Sequence, residues 1–331
     1  MREELFASGR NIPFIDPVLH VWHWQIPLYL FVGGLAAGLI FFASYFYLKG
    51  DEDKYPIAVK IAPFLAPIVI VLGLIALIID LRHPAYFWQL YTTIRIESPM
   101  SWGAWTLGAI MPLSVLWPMS YIHDLQAYFD NRLCKMPYKL ITWIIKMIDR
   151  YWILKWVLDW TIKLRKPIAI INIILAVILG VYTGILLSAF NARPLWNTSL
   201  LGPLFLVSGL STGAAAIMWM AKDHHEKIAF SKIDLVLVGV ELFFIVHMFM
   251  GFLASTAVQQ EAAQLFLGGE FTAVFWGFFV FLGLIFPAIL ETMELFGYKI
   301  PISIPAFFIL FGGALFRFIM VDAGQITRYL Y

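Results

Sequence analysis

Residues 24–48 read WQIPLYLFVGGLAAGLIFFASYFYL, a run of 25 residues without a charge. About 20 apolar residues are enough for an α-helix to cross a bilayer. Seven more segments of this kind follow, at residues 61–80, 101–122, 167–189, 200–221, 233–257, 271–295 and 302–321. Lipid offers no partner to unpaired backbone N–H and C=O groups, so each segment is predicted to be a helix. The sequence therefore predicts an all-α integral membrane protein with eight transmembrane helices.

Composition supports the bilayer as the solvent of this protein. Of its 331 residues, 61% are hydrophobic and 13% are charged. Soluble domains are about 45–50% apolar and about 25% charged. The net charge of +2 gives no indication of nucleic-acid binding. The single cysteine, Cys134, excludes a disulfide within the chain and any cysteine-ligated cluster or zinc site.

The lysines and arginines predict the orientation. The loops after helices 1, 3, 5 and 7 carry 16 of them, whereas the two termini and the other loops carry 6. Cytoplasmic loops are the ones enriched in these residues, so both termini are predicted to lie outside. The resulting division is an outer segment 1–23, helices 1–3 in 24–122, a cytoplasmic interfacial region 123–166, helix 4 in 167–189, helices 5–8 in 200–321 and an outer tail 322–331.

A weak internal repeat relates the two halves of the protein. Phe31–Gly38 reads FVGGLAAG and Leu206–Gly213 reads LVSGLSTG. Helices 3 and 7 each contain a Trp-Gly pair followed by a proline. Helices four apart point the same way, so this pattern indicates a parallel repeat of two four-helix halves. The alternative is chance similarity between glycine-rich helices. The G-x-x-x-G pairs predict close helix packing.

Residues 123–166 form the longest connection between predicted spans. Trp152, Trp156 and Trp160 recur every four residues and therefore share one helix face. With the surrounding cations, they predict an amphipathic helix on the cytoplasmic surface. A ninth span is the alternative, but it would place several charges in lipid and reverse the topology.

Polar residues from several helices converge on the outer ends of the spans, and charges inside lipid are functional candidates by default. A quinone head group needs hydrogen-bond donors at its two oxygens and a titratable group that exchanges protons. Histidine and a carboxylate near a cation serve these roles. The candidate quinone-binding residues are His23, Tyr29, Asp80, Arg82, Tyr182 and Arg317. The alternatives are an interfacial aromatic belt and a surface ion pair between Asp80 and Arg82.

Deeper titratable residues suggest a proton route. Glu241 and His247 lie inside predicted helix 6, and together with Asp80 they are its candidates. Alternatively, each bonds a neighbouring helix. Glu291 and Glu294 are expected to be solvated carboxylates at the cytoplasmic end of helix 7. A membrane haem commonly needs two axial histidines; only His247 lies well inside a span, so we expect neither haem nor an iron–sulfur cluster in this protein.

Several motifs resemble the NrfD-type family, which includes the membrane subunit of polysulfide reductase. They are Trp22–Tyr29 (WHWQIPLY) leading into Gly33–Gly38, Asp80–Pro84 (DLRHP), Ser98–Trp105 (SPMSWGAW), Tyr182–Gly184, Asn191–Asn197 (NARPLWN), and Arg317 with Ala323–Gln325. The resemblance spans nearly the whole sequence. It implies two four-helix bundles with both termini outside, and a quinone site at the outer surface of the first bundle. Tyr182 matches the family's quinone-contacting tyrosine, and His23 and Tyr29 are the candidates on helix 1.

The resemblance also implies partners. They are an iron–sulfur, ferredoxin-like subunit on the outer face and a catalytic subunit, often with molybdopterin. The protein would then be the quinone-reactive subunit of a respiratory oxidoreductase in a prokaryotic cytoplasmic membrane. It would use menaquinone or ubiquinone without itself converting the terminal substrate. An extension of this hypothesis couples the quinone chemistry to proton transfer. The competing hypothesis is a secondary transporter, whose site typically lies at the membrane midplane; the outer position of the polar cluster favours the first hypothesis.

Overall fold

A computed structural model describes residues 22–130 and 136–327, and these residues are helical with short connections. The predictions for residues 1–21, for 328–331 and for Cys134 lie outside the described residues. The helices are α1 Gln25–Lys49, α2 Ile57–Asp80, α3 Gln89–Thr92, α4 Pro99–Met119, α5 Ile122–Asp130, α6 Met136–Arg150, α7 Trp152–Lys163, α8 Arg165–Ser188, α9 Leu201–Met220, α10 His224–Leu253, α11 Ala257–Gln264, α12 Ala273–Leu295 and α13 Ser303–Ile326.

The first and last described residues lie close together. The backbone N–H of Trp22 donates to Oε1 of Gln325 at 2.8 Å, and Nε2 of Gln325 donates to the carbonyl of Trp22 at 2.9 Å. We call the side of the helix assembly that carries Trp22 and Gln325 the terminal end. Residues 81–98, 189–200 and 254–272 lie at the same end. The opposite end holds residues 50–56, 120–164, 221–223 and 296–302. The two ends of the described sequence therefore lie on the same side of the helix assembly; that this is the outer side stays a prediction.

Within residues 22–130 and 136–327, seven helices are long and apolar enough to cross a membrane: α1, α2, α8, α9, α10, α12 and α13. They match seven of the eight predicted segments. The remaining segment, 101–122, forms α4, which has 21 residues and no charge but contains Pro112 and Pro118. Its prolines, tryptophans and small polar residues dilute the hydropathy that marks the other seven. The eighth crossing therefore stays a prediction.

Helix α1 lies at the centre of the packing. It contacts α2 and α8 on one side and α9 and α13 on the other. At the crossing of α1 with α9, a Cβ on Gly38 would lie 2.5 Å from the carbonyl oxygen of Gly209 and 2.9 Å from Cα of Gly213. A Cβ on Gly34 would lie 3.3 Å from Cα of Gly209. The missing side chains thus let the two backbones touch. Each glycine meets its counterpart in the repeat, which supports a parallel relation of the two halves.

Prolines lie in or next to the irregular turns of α2 and α12. A proline has no N–H for the helix ladder, and its ring clashes with the preceding turn. Helix α2 begins with a π-helical turn, Ile57–Ile61, followed by a 3₁₀ turn, Ala62–Phe64, that contains Pro63. Helix α12 winds as a π-helix over Ala273–Ile285 and becomes α-helical at Pro287. Wider turns of this kind are common where function distorts a helix.

The region 123–166 contains three helices, α5, α6 and α7, of 9, 15 and 12 residues. Each is shorter than the roughly 20 residues that a span needs, which disfavours the ninth-span alternative. Trp152, Trp156 and Trp160 are all exposed, Trp152 to 76%. The position of this face at a membrane surface stays a prediction.

Candidate functional site

Two buried tyrosines form the centre of the candidate site. Tyr29 on α1 and Tyr182 on α8 are 3% and 7% exposed, and their side chains are neighbours. Two glycines make room for the rings. A Cβ on Gly73 of α2 would lie 3.3 Å from Cδ2 of Tyr29. A Cβ on Gly103 of α4 would overlap Cζ and the hydroxyl oxygen of Tyr182. Four helices thus position one pair of phenols.

Other polar groups extend this pair toward the terminal end. Tyr91 on α3 is an electrostatic neighbour of Tyr29, and partial burial raises the pKa of the Tyr91 phenol above its usual value. Asp80, at the end of α2, is half-buried and interacts electrostatically with His23, which is exposed. The arrangement therefore runs from an exposed histidine and a carboxylate to buried hydroxyl donors.

A cavity of about 540 Å³ opens beside Tyr182 between α4 and α8. Its walls are mostly apolar, and they include Ile96, Pro99, Trp102, Val181, Tyr182 and Ile185. The indole N–H of Trp102 donates to the carbonyl of Ile96 at 2.8 Å, which holds the loop before α4 against the helix. An apolar cleft with few convergent polar groups is typical of small-molecule sites. A flat ring with a hydrocarbon tail fits this shape and chemistry.

The structure separates the six predicted residues into groups. Tyr29 and Tyr182 lie together, and Asp80 is an electrostatic neighbour of the exposed His23. Arg82 is exposed at the terminal end, and the described residues include no ion pair between it and Asp80. Arg317 is fully buried between α13 and α9, on a different face of α1 from Tyr29. It is not brought to the tyrosine pair.

Arg317 belongs to a second polar group inside α9, α10, α12 and α13. Its Nη1 donates to Oγ of Ser208 at 2.6 Å and to the carbonyl of Gly313 at 2.9 Å, and its Nη2 donates to the carbonyl of Phe205 at 3.2 Å. Glu241, which is 1% exposed, is its electrostatic neighbour. One turn further along α9, Oγ of Ser211 donates to Oδ1 of the buried Asp234 at 2.6 Å.

Two expectations about this second group differ from the structure. Glu291 was expected to be a solvated carboxylate, but it is fully buried, and Glu294 is only 9% exposed. That expectation was wrong because α10 begins at His224 and covers these side chains. His247, a predicted member of the proton route, lies on the exposed face of α10 with Nδ1 2.8 Å from the carbonyl of Phe243. The structure does not bring it to Glu241.

Sequence reasoning missed three residues that matter here. Asp234 was placed at the edge of a span because the polar start of α10 does not stand out by hydropathy. Tyr91 lies in a connection with no pattern that would mark it. Gly103 was part of a motif, but only the position of Tyr182 reveals why no side chain fits there.

Buried polar clusters inside a set of long apolar helices define this protein as a helical integral membrane protein with several spans. The comparison with protein families is more specific. Residues 14–328 match the model of the family described as "Polysulphide reductase, NrfD". The chain therefore belongs to the NrfD family, as the motifs predicted.

Named relatives agree with this assignment. One chain of the polysulfide reductase of Wolinella succinogenes is 29% identical over 92% of this protein and 94% of its own length. Protein NrfD of Escherichia coli K12 is 31% identical over 93% of this protein and 96% of its own length. One subunit of the selenate reductase of Mesobacillus selenatarsenatis is 26% identical over 60% of this protein and 47% of its own length.

Proposed function

We propose that this protein is the quinone-reactive membrane subunit of a respiratory oxidoreductase and binds its quinone beside Tyr182. The observation that carries the proposal is the buried pair Tyr29 and Tyr182 next to an apolar cavity. The names of the relatives support it, because two of them are parts of reductases. A protein of this kind exchanges electrons by holding a diffusible carrier next to a partner's cluster.

The chemistry assigned to the residues follows from their positions. The phenol of Tyr182 donates a hydrogen bond to a quinone oxygen, and Tyr29 orients that phenol. Hydrogen bonding in a dry pocket is stronger than in water, and a donor to a quinone oxygen stabilises the negative charge that reduction places there. Asp80 and His23 exchange protons between the site and the aqueous phase at the terminal end. Arg317 has no role in head-group binding in this proposal.

Topology completes the proposal. We assign the terminal end to the outside, since the opposite end carries most of the loop lysines and arginines. Helix α4 then supplies the eighth crossing, giving one bundle of α1, α2, α4 and α8 and a second of α9, α10, α12 and α13. An iron–sulfur subunit docks at the outer face beside the tyrosines, and a catalytic subunit, with molybdopterin in many such complexes, docks on it. The protein would lie in a prokaryotic cytoplasmic membrane.

The decisive experiment compares two tyrosine variants in the purified complex. Tyr182→Phe removes one hydroxyl and should lower quinone-linked turnover about a hundredfold or more, the scale of losing one hydrogen-bond donor at an oxygen that develops negative charge. Tyr45→Phe, at an exposed position on α1, is the matched control. Dye-linked activity of the partner subunits should stay the same in both. Full quinone-linked turnover in both Tyr182→Phe and His23→Ala would contradict the site, and purification without an iron–sulfur protein would favour a transporter.

A further inference from the structure

We infer that Asp234 and Glu291 form a proton-binding carboxyl pair inside the second half of the protein. Protons reach this pair from the opposite end of the helix assembly. The pair is separate from the tyrosine site. Its assignment to the cytoplasmic side rests on the topology given under the proposed function, whereas its existence does not depend on quinone binding.

The first step is burial without compensation. Asp234 and Glu291 are each fully buried. Oδ1 of Asp234 accepts a hydrogen bond from the hydroxyl of Ser211 at 2.6 Å. Among the described residues, Oδ2 of Asp234 and both oxygens of Glu291 are buried without a hydrogen-bond partner. A carboxylate without partners in an apolar interior is costly enough that the group takes up a proton instead.

The second step is the charge around the pair. Asp234 on α10 and Glu291 on α12 are electrostatic neighbours, and Asp234 also interacts with Glu241. Glu294, on the same helix as Glu291, adds another carboxyl. From α9 only the hydroxyl of Ser211 faces Asp234 among the described contacts. Two carboxylates that interact through a low-dielectric interior do not both ionise, so at least one carboxyl of this group retains a proton.

The third step is access. A cavity of about 570 Å³ at the opposite end is lined by His224, Lys227, Glu294, Tyr298 and Lys299, among others. Glu294 interacts electrostatically with His224 and Lys227 and also with the buried Glu291. Carboxyl groups therefore lead from this cavity into the interior, where His247 was expected to contribute and does not.

The fourth step is where the route ends. Beyond Asp234, the route reaches Glu241 and then Arg317, whose guanidinium is held by Ser208, Gly313 and Phe205. A fixed positive charge repels a proton that would continue toward the terminal end. The pair therefore exchanges its proton with the opposite end: a hydronium ion gives H⁺ to a carboxylate, leaving water and a neutral carboxylic acid.

Carbodiimide labelling tests the pair in the intact complex. Dicyclohexylcarbodiimide enters the bilayer and adds to protonated carboxyl groups in apolar surroundings. Mass spectrometry should find the adduct on Asp234 or Glu291, and not on the exposed Glu261 or Glu270. In the double variant Asp234→Asn, Glu291→Gln, the adduct at positions 234 and 291 should disappear, whereas any adduct on Glu241 or Glu294 should remain. Absence of adduct from both residues of the wild-type protein would overturn the proposal.

Sidedness provides the second measurement. In sealed proteoliposomes of known orientation, raising the pH only at the opposite end until the pair loses its protons should lower the labelling, by up to about tenfold per pH unit for one proton. Raising the pH only at the terminal end should leave the labelling unchanged. An equal response to both sides, or a response to the terminal side alone, would also overturn the proposal. No quinone is needed, so a failure here is distinguishable from a failure of the tyrosine site.

Discussion

Replacing Gly103 by alanine tests the tyrosine site without touching a polar group. Cε1 of Tyr182 lies 2.5 Å from the position that a Cβ on Gly103 would take, and the end of the ring lies closer still. Ordinary van der Waals contact begins at 3.4 Å, so the ring must retreat by about 1 Å or more. A displacement of about 1 Å in a positioning group can cost about a hundredfold in rate.

The matched control is in the second half of the protein. Gly277 follows Trp276 as Gly103 follows Trp102, and a Cβ there would meet no atom within 4 Å. We expect Gly103→Ala to lower quinone-linked turnover of the purified complex by about 10- to 100-fold. Gly277→Ala should leave it unchanged, and both complexes should keep their partner subunits.

Binding separates displacement from loss of folding. A fluorescent quinone-analogue inhibitor should bind the Gly103→Ala complex more weakly, while the thermal transition of the membrane subunit shifts little. Equal turnover and equal inhibitor affinity in the two glycine variants would refute the assignment, because the ring of Tyr182 would then have moved without consequence.

Two further predictions concern stability. Gly38→Val places a branched side chain against the backbone of Gly209 and Gly213. Overpacking of this kind costs about 1–3 kcal/mol or more, so the variant should melt at a lower temperature in detergent. The control Gly239→Val, where a Cβ meets open space, should melt at the wild-type temperature. Glu226→Leu removes the acceptor of the backbone N–H groups of Ile57 at 3.3 Å and Ala58 at 2.8 Å. Leaving buried donors unpaired costs about 1–3 kcal/mol, so thermal unfolding should begin at a lower temperature than in the exposed control Asp223→Leu. Equal transitions in the two variants would contradict the role of Glu226 as the acceptor at the start of α2.

Hydropathy and loop charge predicted most of the fold. The segment 24–48 became α1, Gln25–Lys49, and 200–221 became α9, Leu201–Met220. The start of α10 was missed by nine residues, since His224–Lys232 is polar yet continues the helix beyond the apolar stretch. Hydropathy measures the preference for lipid and not the helix itself, so polar extensions of a span remain outside its reach.

The candidate site was predictable in part. The motifs identified Tyr29, Tyr182, Asp80 and His23; the structure brings the two tyrosines together and makes His23 an electrostatic neighbour of Asp80. Arg317 was expected among them because it is a charge inside a helix near the outer end. One-dimensional position gives depth in the membrane but not the direction in which a side chain points. The face of α13 that carries Arg317 turns toward α9, and only packing between helices decides that.

The relation of the two halves indicates how the two proposed sites can coexist. Gly34 meets Gly209 and Gly38 meets Gly213, so corresponding positions of the repeat face each other, as they must around a two-fold axis parallel to the helices. Contact at the axis constrains only these small residues. Away from it the halves differ: the first places tyrosines near the terminal end, and the second places carboxyl groups near the opposite end. Arg317 lies beside both Gly34 of α1 and Ser208 of α9. The second polar group therefore contacts α1, the helix that carries Tyr29, where α1 crosses α9. Any coupling between the tyrosine site and the carboxyl pair should therefore pass through the contact of α1 with α9.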